Sequence, residues 1–599
     1  MKIRNYIIGL GVMASTALSF PSCTDLSETV YDQVMSNNYY NTKQDVINAV
    51  FRPFEYLYCC IWMRHENEEL PADQLITPTR GGSWWYDGGI WEMYHRHQYN
   101  DITLTNVNWS NEWGEFYIGI ANCNFMLDEL NRLDPASFDL TEEDFNNYKA
   151  QLRCLRCWAY LRLLNAYRNC ILTTTSDQEV NMQPENRKQV APQVLFDFIE
   201  SELKDFCLEH LPSKTGQDGN GEMQGQFTKA AAASLLVRLY LNSEKWTGQE
   251  KWQECIDMAK RITSGEFGYY AIAENWYEPF DWNNETCNEV IFGFPGSYST
   301  TSWHLNNQNK NRTIYGRALP YGCQFYLDIE ADGERNPRFA LSPSYDNQRP
   351  RQLFTYQLGM PVQKFRKYDQ YGHDKRLKQY KNLSNNTREG MFFLEGKIPS
   401  TAFPGGYAKN PQNQYELYLV DQVGLFNENA EQGYISNPAY QESKLGNGDF
   451  NSGLYCVKYP FYPFDGGYYI ESDYTEIRLT EIIYSQAECL IRLGQADEAG
   501  RLLNSVRKRN YEDFNANVAY RPEGNVTLDM DEMLDEWGRE FLAESRRRTD
   551  LIRFGKFQDA WWDKPQDADD HYEIYPLSQT QLEQNPYLKQ NPGYPDIAR

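Results

Sequence analysis

The sequence lacks the short motifs that mark several common enzyme classes. Neither the Gly-x-Ser-x-Gly turn of serine hydrolases nor the Gly-Lys-Ser/Thr sequence of a phosphate-binding loop occurs in its 599 residues. The segment His65 to Glu69 begins like a zinc-protease helix, but Glu69 stands where the second histidine ligand is required. These absences argue against serine hydrolase, nucleotide triphosphatase and zinc protease chemistry.

Histidine is scarce as well. The seven histidines are scattered, and the pair His95 and His97 has no obvious third ligand nearby in the sequence. A metal site is therefore not expected. We interpret these two side chains as solvated or as part of a ligand-binding loop.

Positive charge is in deficit. The chain has 83 acidic and 58 basic residues, for a net charge of −25. This balance argues against nucleic acids and anionic membrane surfaces as partners. The many carboxylates leave one enzymatic alternative open, because glycoside hydrolysis needs only two carboxylates at a defined separation.

No Ser/Gly-rich or Pro-rich linker divides the chain, which favours one large folded unit over residues 23–599. The 13 cysteines do not follow a disulfide or zinc pattern. Cys154 and Cys157, for example, are three residues apart among apolar residues with helical spacing. We predict that they are buried thiols.

The amino terminus has the pattern of an export signal. Lys2 and Arg4 precede an apolar run from Ile7 to Leu18, which is too short for a comfortable membrane span. Residues 1–22 are predicted to be a signal peptide, and Cys23 is placed where a lipoprotein receives its acyl chains. The alternative is cleavage without lipidation, giving a soluble periplasmic protein.

Apolar residues at helical spacing dominate residues 40–264 and 474–560, which predicts a mainly α-helical scaffold. The clearest helix pair runs from Arg478 to Leu490 and from Ala496 to Arg509, with Gly494 in the turn between them. Small residues at Ala487 and Ala499 allow close packing, as in tetratricopeptide repeats. A looser pair is predicted at 229–240 and 251–264.

Two regions interrupt this helical pattern. Residues 265–470 are rich in Asn, Gly, Pro, Tyr and Trp, which predicts a long loop-rich insertion with short strands, of which Asn288 to Phe294 is the best candidate. Residues 572–599 contain Pro576, Pro586 and Pro592. We predict an extended strap here that lies back on the helices through Tyr575, Leu577, Tyr587, Leu588 and Tyr594.

A candidate ligand site lies between Leu70 and Trp91. Glycines flank three adjacent aromatic residues, Trp84, Trp85 and Tyr86, so the rings are expected on a loop. Saccharides have apolar C–H faces and polar edges, which suit exposed Trp and Tyr rings beside polar side chains. The alternative is that Trp84 or Trp85 plugs the helical scaffold.

The carboxyl-terminal sequence resembles a known family. The run from Glu540 to Phe557, followed by Asn591-Pro592-Gly593-Tyr594, resembles the signature of the SusD/RagB family. Further likeness lies in Tyr39 to Phe54, Leu155 to Tyr160 and Asn504 to Arg509. Asn169 to Leu172 departs from the family pattern, which puts the local loop geometry in doubt.

This resemblance implies a SusD-like fold and a binding function without cofactor or catalysis. It implies a lipid-anchored protein of the outer membrane that captures a glycan and passes it to a SusC-like, TonB-dependent transporter. The residues it favours for ligand binding are Trp84, Trp85 and Tyr86, with Tyr298 and Trp303 opposite and Asp73 and Arg80 as polar partners. Asp73 and Arg80 have an alternative role in tying down the loop. A RagB-like peptide-binding protein is the alternative function.

Overall fold

The computed structural model describes residues 39–296, 339–345, 361–398, 406–459 and 462–598, with short gaps at 82–83, 106, 217–218, 220–222, 383–387, 411, 413, 435, 437–441, 465–466 and 470–471. The predicted signal peptide, Cys23, Tyr298 and Trp303 lie outside these residues. Within the described part of the chain, no helix is both long enough and apolar enough to cross a membrane.

Helices form most of the regular structure. The helices, in chain order, are α1 (Lys43–Tyr58), α2 (Ile61–Glu69), α3 (Ile90–His95), α4 (Asn108–Arg132), α5 (Glu142–Tyr167), α6 (Gln178–Asn181), α7 (Pro192–Ser201), α8 (Leu208–His210), α9 (Lys229–Leu241), α10 (Ser243–Thr247), α11 (Trp252–Thr263), α12 (Pro361–Gly372), α13 (Leu479–Arg492), α14 (Ala496–Arg507), α15 (Met530–Glu540), α16 (Arg547–Arg553) and α17 (Gln579–Gln584). A π-helical stretch, Glu202–Cys207, joins α7 to α8.

Local sequence explains where the long helices begin. The Thr42 hydroxyl caps α1 by accepting from the backbone of Asp45, whose carboxylate accepts in return from the Thr42 backbone. Thr141 and Asp144 make the same reciprocal pair at the start of α5. The apolar faces of α4 and α5 then pack against each other in the core.

The predicted helix pairs are present. Gly494 adopts a left-handed conformation (φ +78°) between α13 and α14, and Ala487 and Ala499 are fully buried. Helix α9 packs on α11, α11 on α13, and α13 on α14. The two predicted pairs therefore form one continuous helical layer, although they are far apart in the sequence.

The strands are short, and all pair antiparallel in two-stranded sheets. In chain order they are β1 (Leu75–Ile76), β2 (Cys170–Ile171), β3 (Gln189–Val190), β4 (Val290–Phe294), β5 (Ala340–Leu341), β6 (Lys381–Asn382), β7 (Arg388–Glu389), β8 (Phe392–Phe393), β9 (Gly396–Lys397), β10 (Tyr418–Leu419), β11 (Tyr455–Cys456), β12 (Tyr462–Phe464), β13 (Gly467–Tyr469) and β14 (Tyr474–Arg478). The predicted strand is β4, which pairs with β14 in a fully buried ribbon. Because β14 runs directly into α13, this ribbon joins the loop-rich region to the helical layer.

The predicted buried thiols are also found. Cys154 and Cys157 are fully buried and free. Burial raises the pKa of both well above the usual value for a thiol, so they remain protonated and act as small apolar side chains.

The carboxyl-terminal segment lies back on the helices, as expected. The Tyr575 backbone N–H donates to the Ala166 carbonyl at 2.8 Å, and its hydroxyl donates to the Asn67 carbonyl at 2.7 Å. Tyr575, Leu577, Leu588 and Tyr594 are buried, whereas Tyr587 is half-buried. The expectation of a wholly extended strap is wrong, because α17 fits between Pro576 and Pro586 and begins at a Ser578 cap.

Buried ion pairs hold the carboxyl-terminal part of the helical scaffold together and join it to the amino-terminal part. Glu540, at the end of α15, accepts from Arg478 at 2.9 Å and from Arg509 at 2.7 Å, and all three side chains are buried. Glu476 accepts from Arg64 on α2 at 2.6 Å and from Arg238 on α9 at 2.6 Å. We call these pairs, together with Asp73–Arg547 and Glu488–Arg553, the buried ion-pair network.

The protonation of Glu476 makes this network sensitive to acid. Burial alone would raise the pKa of Glu476, but the charges of Arg64 and Arg238 and the hydrogen bonds from Arg64 and Trp158 lower it to about 2. A carboxyl group whose pKa is lowered on folding stabilises the fold above its unfolded pKa. That contribution is lost as the pH falls towards the folded value.

We therefore predict that Glu476→Gln lowers the free energy of unfolding by about 3 kcal/mol at pH 7. The difference between the wild type and the variant should shrink as the pH falls from 5 to 3, measured by urea unfolding at each pH. The control is Glu266→Gln in the exposed pair with Arg261, which should change stability by less than about 1 kcal/mol. A difference at Glu476 that does not vary with pH would contradict this assignment.

Candidate functional site

The predicted ligand loop connects α2 to α3 and has two parts with opposite burial. Residues 71–80, which we call the stem, are all buried, and β1 within the stem pairs with β5. Residues 81–91, which we call the aromatic loop, are mostly exposed or half-buried where described. The stem therefore fixes the position from which the aromatic loop projects.

Asp73 holds the stem to the carboxyl-terminal helix α16. Its carboxylate accepts two hydrogen bonds from the Arg547 guanidinium, at 2.7 and 2.9 Å, and both side chains are buried. Such a two-point pair is both directional and strong. This geometry favours the alternative in which Asp73 ties down the loop.

Arg80 closes the stem. Its side chain is fully buried and donates to the Ser452 carbonyl at 3.2 Å and to the Tyr455 hydroxyl at 2.8 Å. Its backbone exchanges two hydrogen bonds with Trp84, at 2.9 and 3.0 Å, which closes a tight turn. Arg80 therefore also fits the anchoring alternative.

The three aromatic residues follow one another in the chain at the tip of the aromatic loop, by which we mean residues 84–86, and they differ in exposure. Trp84 is 42% exposed and Tyr86 is 53% exposed, whereas Trp85 is half-buried. One edge of the Trp84 ring system contacts Phe450, with ring centroids 6.2 Å apart and an interplanar angle of 72°. Trp84 and Tyr86 therefore present ring surface to solvent, whereas much of Trp85 is covered.

The backbone of the aromatic loop is unusually constrained. Trp85 (φ 61°) and Asp87 (φ 42°) both adopt left-handed conformations, which are uncommon for residues other than glycine. Asp87 accepts a hydrogen bond from the Trp91 indole N–H at 2.8 Å. Strained backbone of this kind persists where the surroundings specify it, and it is concentrated at functional sites.

A second segment, Leu445 to Phe450, supports the loop from the side; we call it the supporting segment. The Thr79 backbone N–H donates to the Leu445 carbonyl at 2.9 Å, and the Gly448 backbone N–H donates to the Thr79 carbonyl at 3.0 Å. A Cβ atom on Gly448 would lie 2.8 Å from the Thr79 oxygen, so only glycine permits this approach. Sequence reasoning missed this segment, and its Gly-Asn-Gly-Asp turn was the one available signal.

The two clustered histidines are buried, and His97 contacts the first residue of the stem. His95 and His97 are each 1% exposed. The His95 ring contacts the Trp562 carbonyl at 2.7 Å, and the His97 ring lies 2.7 Å from both Asp567 and the Pro71 carbonyl. The expectation that they are solvated or part of a ligand loop is wrong, because both are packed under the carboxyl-terminal segment. Among the residues the structure describes, no three His, Cys, Asp or Glu side chains are arranged to hold a metal ion.

Two family models match the chain. The model described as the SusD family matches residues 289–594, which is just over half of the sequence. The chain belongs to the SusD family. A second SusD-like model, described as starch-binding associating with outer membrane, matches residues 62–241 and thus spans the stem and the aromatic loop.

Individual SusD-family proteins match over most of their length. The starch-binding protein SusD of Bacteroides thetaiotaomicron is 23% identical over 525 residues, covering 82% of this chain and 81% of its own. A solved SusD homologue from the same species has a TM-score of 0.63 at 17% identity and covers 93% of this chain and 98% of its own. Surface glycan-binding protein A from Bacteroides uniformis has a TM-score of 0.59 at 17% identity, covering 92% and 99%. These matches confirm the predicted mainly helical, SusD-like fold.

The difference in burial between the stem and the tip can be tested by comparing how substitutions in each affect stability. We predict that Asp73→Ala lowers the free energy of unfolding by about 3–5 kcal/mol, because it leaves the Arg547 charge buried without its partner. Tyr86→Ala should change it by less than about 0.5 kcal/mol, because this ring is exposed. Chemical unfolding of both variants measures the difference, and equal losses of stability would contradict the division between stem and tip.

Proposed function

We propose that this chain is a cell-surface lipoprotein that captures an oligosaccharide or polysaccharide and delivers it to a SusC-like, TonB-dependent outer-membrane transporter. The observation that carries the proposal is the exposure of Trp84 and Tyr86 at the tip of a loop whose stem is completely buried. Two large rings left in water gain free energy when a ligand covers them.

The chemistry of these rings fits a saccharide. An indole or phenol ring covers the apolar C–H face of a sugar, while its N–H or O–H edge can bond a hydroxyl group. The anchored stem and the supporting segment hold the rings in place before the ligand arrives, which reduces the entropy lost on binding. In this role Asp73 and Arg80 position the aromatic loop. Tyr298 and Trp303 remain candidates for contacting the ligand on the side opposite the aromatic loop.

The comparisons support the same ligand class and location. One matched relative is named a starch-binding protein and another a surface glycan-binding protein. The family model over residues 62–241 is described as associating with the outer membrane. Acylation at Cys23, which follows an apolar signal sequence, would supply the anchor.

Calorimetry against a panel of starch, other neutral polysaccharides and peptide pools tests the proposal. We expect saturable binding of at least one glycan, weakened about tenfold or more by Trp84→Ala and by Tyr86→Ala. The control is Tyr371→Ala, which removes an exposed ring on α12 and should leave binding unchanged.

Two other outcomes would contradict the proposal. Saturable binding of peptide without binding of any glycan would favour the RagB-like alternative. Release of cleaved sugar during the titration would make the protein a glycoside-acting enzyme.

A further inference from the structure

A second feature of the surface, remote in sequence from the aromatic loop, has the properties of a saccharide site. Among the described tryptophans, Trp84 and Trp282 are exposed, and the others are buried or half-buried. Trp282 is 38% exposed, and its two neighbours in the sequence, Asp281 and Asn283, both line a cleft of about 410 Å³. A volume of this size is within the usual range for small-molecule sites.

The cleft is lined mainly by hydrogen-bonding groups. Its lining side chains include Glu274, Glu278, Asp281, Asn283, Thr286 and Asn288. No lysine or arginine is among its described lining residues. Two cations contact this lining from behind, Lys214 at the Asn288 amide oxygen (2.6 Å) and Arg388 at Asp281 (3.6 Å). Three carboxylates, those of Glu274, Glu278 and Asp281, face these two cations, and carboxylate oxygens accept hydrogen bonds from hydroxyl groups, so the cleft suits a neutral polyol better than an anion.

The walls of the cleft are held in position by the fold. The Ala271 backbone donates to the Asn288 carbonyl at 3.1 Å, and the Ala273 backbone donates to the Glu289 carboxylate at 2.9 Å. These bonds tie residues 271–273 to residues 288–289 and so join the two ends of the segment that lines the cleft. Its shape is therefore present before a ligand binds, which lowers the entropic cost of binding.

Buried Asn284 fixes the segment that carries Trp282. Its side-chain amide donates to the Pro279 and Asp473 carbonyls, each at 2.9 Å, and its side-chain oxygen accepts from the Asp473 backbone at 2.8 Å. Because Asp473 directly precedes β14, these bonds connect the cleft to the buried β4–β14 ribbon. Glu278 is oriented locally, since one of its carboxylate oxygens accepts two hydrogen bonds from Asn275 at 2.8 Å.

We propose that the cleft at residues 271–288, together with the exposed Trp282 in the same segment of chain, is a second binding site for a neutral saccharide. The inference takes its ligand class from the proposed function, but it uses none of the residues of the aromatic loop. Two separate sites on one protein increase the apparent affinity for a polymer long enough to reach both.

The test uses the full mature chain and removes the two sites separately. Native gels are cast with soluble starch, laminarin or one of a panel of neutral polysaccharides, and a protein that binds the polysaccharide migrates more slowly. The migration of four proteins is compared: the wild type, Trp84→Ala/Tyr86→Ala, Trp282→Ala and the triple variant. We expect the Trp84→Ala/Tyr86→Ala protein to keep weaker, saturable retardation by one polysaccharide. Adding Trp282→Ala should weaken that residual binding about tenfold or more.

Two controls separate binding from folding. Thermal unfolding of Trp282→Ala shows whether the variant is folded at the temperature of the gel, because part of this residue is covered by the fold, and Tyr371→Ala should leave retardation unchanged. If Trp282→Ala unfolds early, Asn283→Ala and Thr286→Ala replace it, since both side chains are exposed and line the cleft.

Each outcome bears on one proposal or both. Complete loss of binding in Trp84→Ala/Tyr86→Ala would overturn the second site and leave the proposed function intact. Binding that survives in this variant and is lost with Trp282→Ala supports the second site. Residual binding that is unaffected by Trp282→Ala and by the cleft variants would overturn it. Absence of retardation of the wild type by any polysaccharide would overturn both.

Discussion

The buried ion-pair network is the interaction on which the rest of the structure depends. Side chains from the segment Glu540 to Arg553 contact residues of the amino-terminal region: the Arg547 guanidinium pairs with Asp73, and the Thr549 hydroxyl donates a hydrogen bond to Glu68. The same segment pairs with the helical layer through Glu540 and Arg553. Because a buried charge without its partner costs several kcal/mol, these pairs admit one relative arrangement of the segments they join. This also gives a physical reason why a run rich in Arg and Glu marks the fold, although such residues usually lie on the surface.

The candidate site is built directly on this network. Asp73 belongs to the network, and the seven buried residues 74–80 lie between it and the aromatic loop that carries the exposed rings of Trp84 and Tyr86. The supporting segment then fixes the side of the loop through backbone bonds to Thr79. The left-handed conformations of Trp85 and Asp87 follow a stem that is buried along its whole length. A buried stem that carries exposed aromatic rings supports the proposed binding function.

Predictions from the sequence succeeded where the determining residues are close together in the chain. Ala487, Gly494 and Ala499 specify a helix pair within about one repeat, and Cys154 and Cys157 lie on a locally recognisable apolar face. Predictions failed or stayed open where the role or the burial of a side chain depends on a residue that is distant in the sequence. The roles of Asp73 and Arg80 depend on Arg547 and Tyr455, which lie hundreds of residues away. His95 and His97 have polar local surroundings, yet Trp562 and Asp567 bury them. The short helix α17 was missed for a local reason. The prolines of this segment argue against a helix, but two prolines ten residues apart leave room for six helical residues.

The central claim is that a rigid, ion-paired frame presents the aromatic loop to a glycan. Hydrogen exchange followed by mass spectrometry, with and without the polysaccharide that binds most tightly in calorimetry, tests it most directly. The account predicts slower exchange at residues 84–91 and 445–450 when the glycan is bound, with no change in the helices that carry the buried ion-pair network. Unchanged exchange in the aromatic loop under saturating glycan, or slower exchange throughout the helical layer, would contradict it.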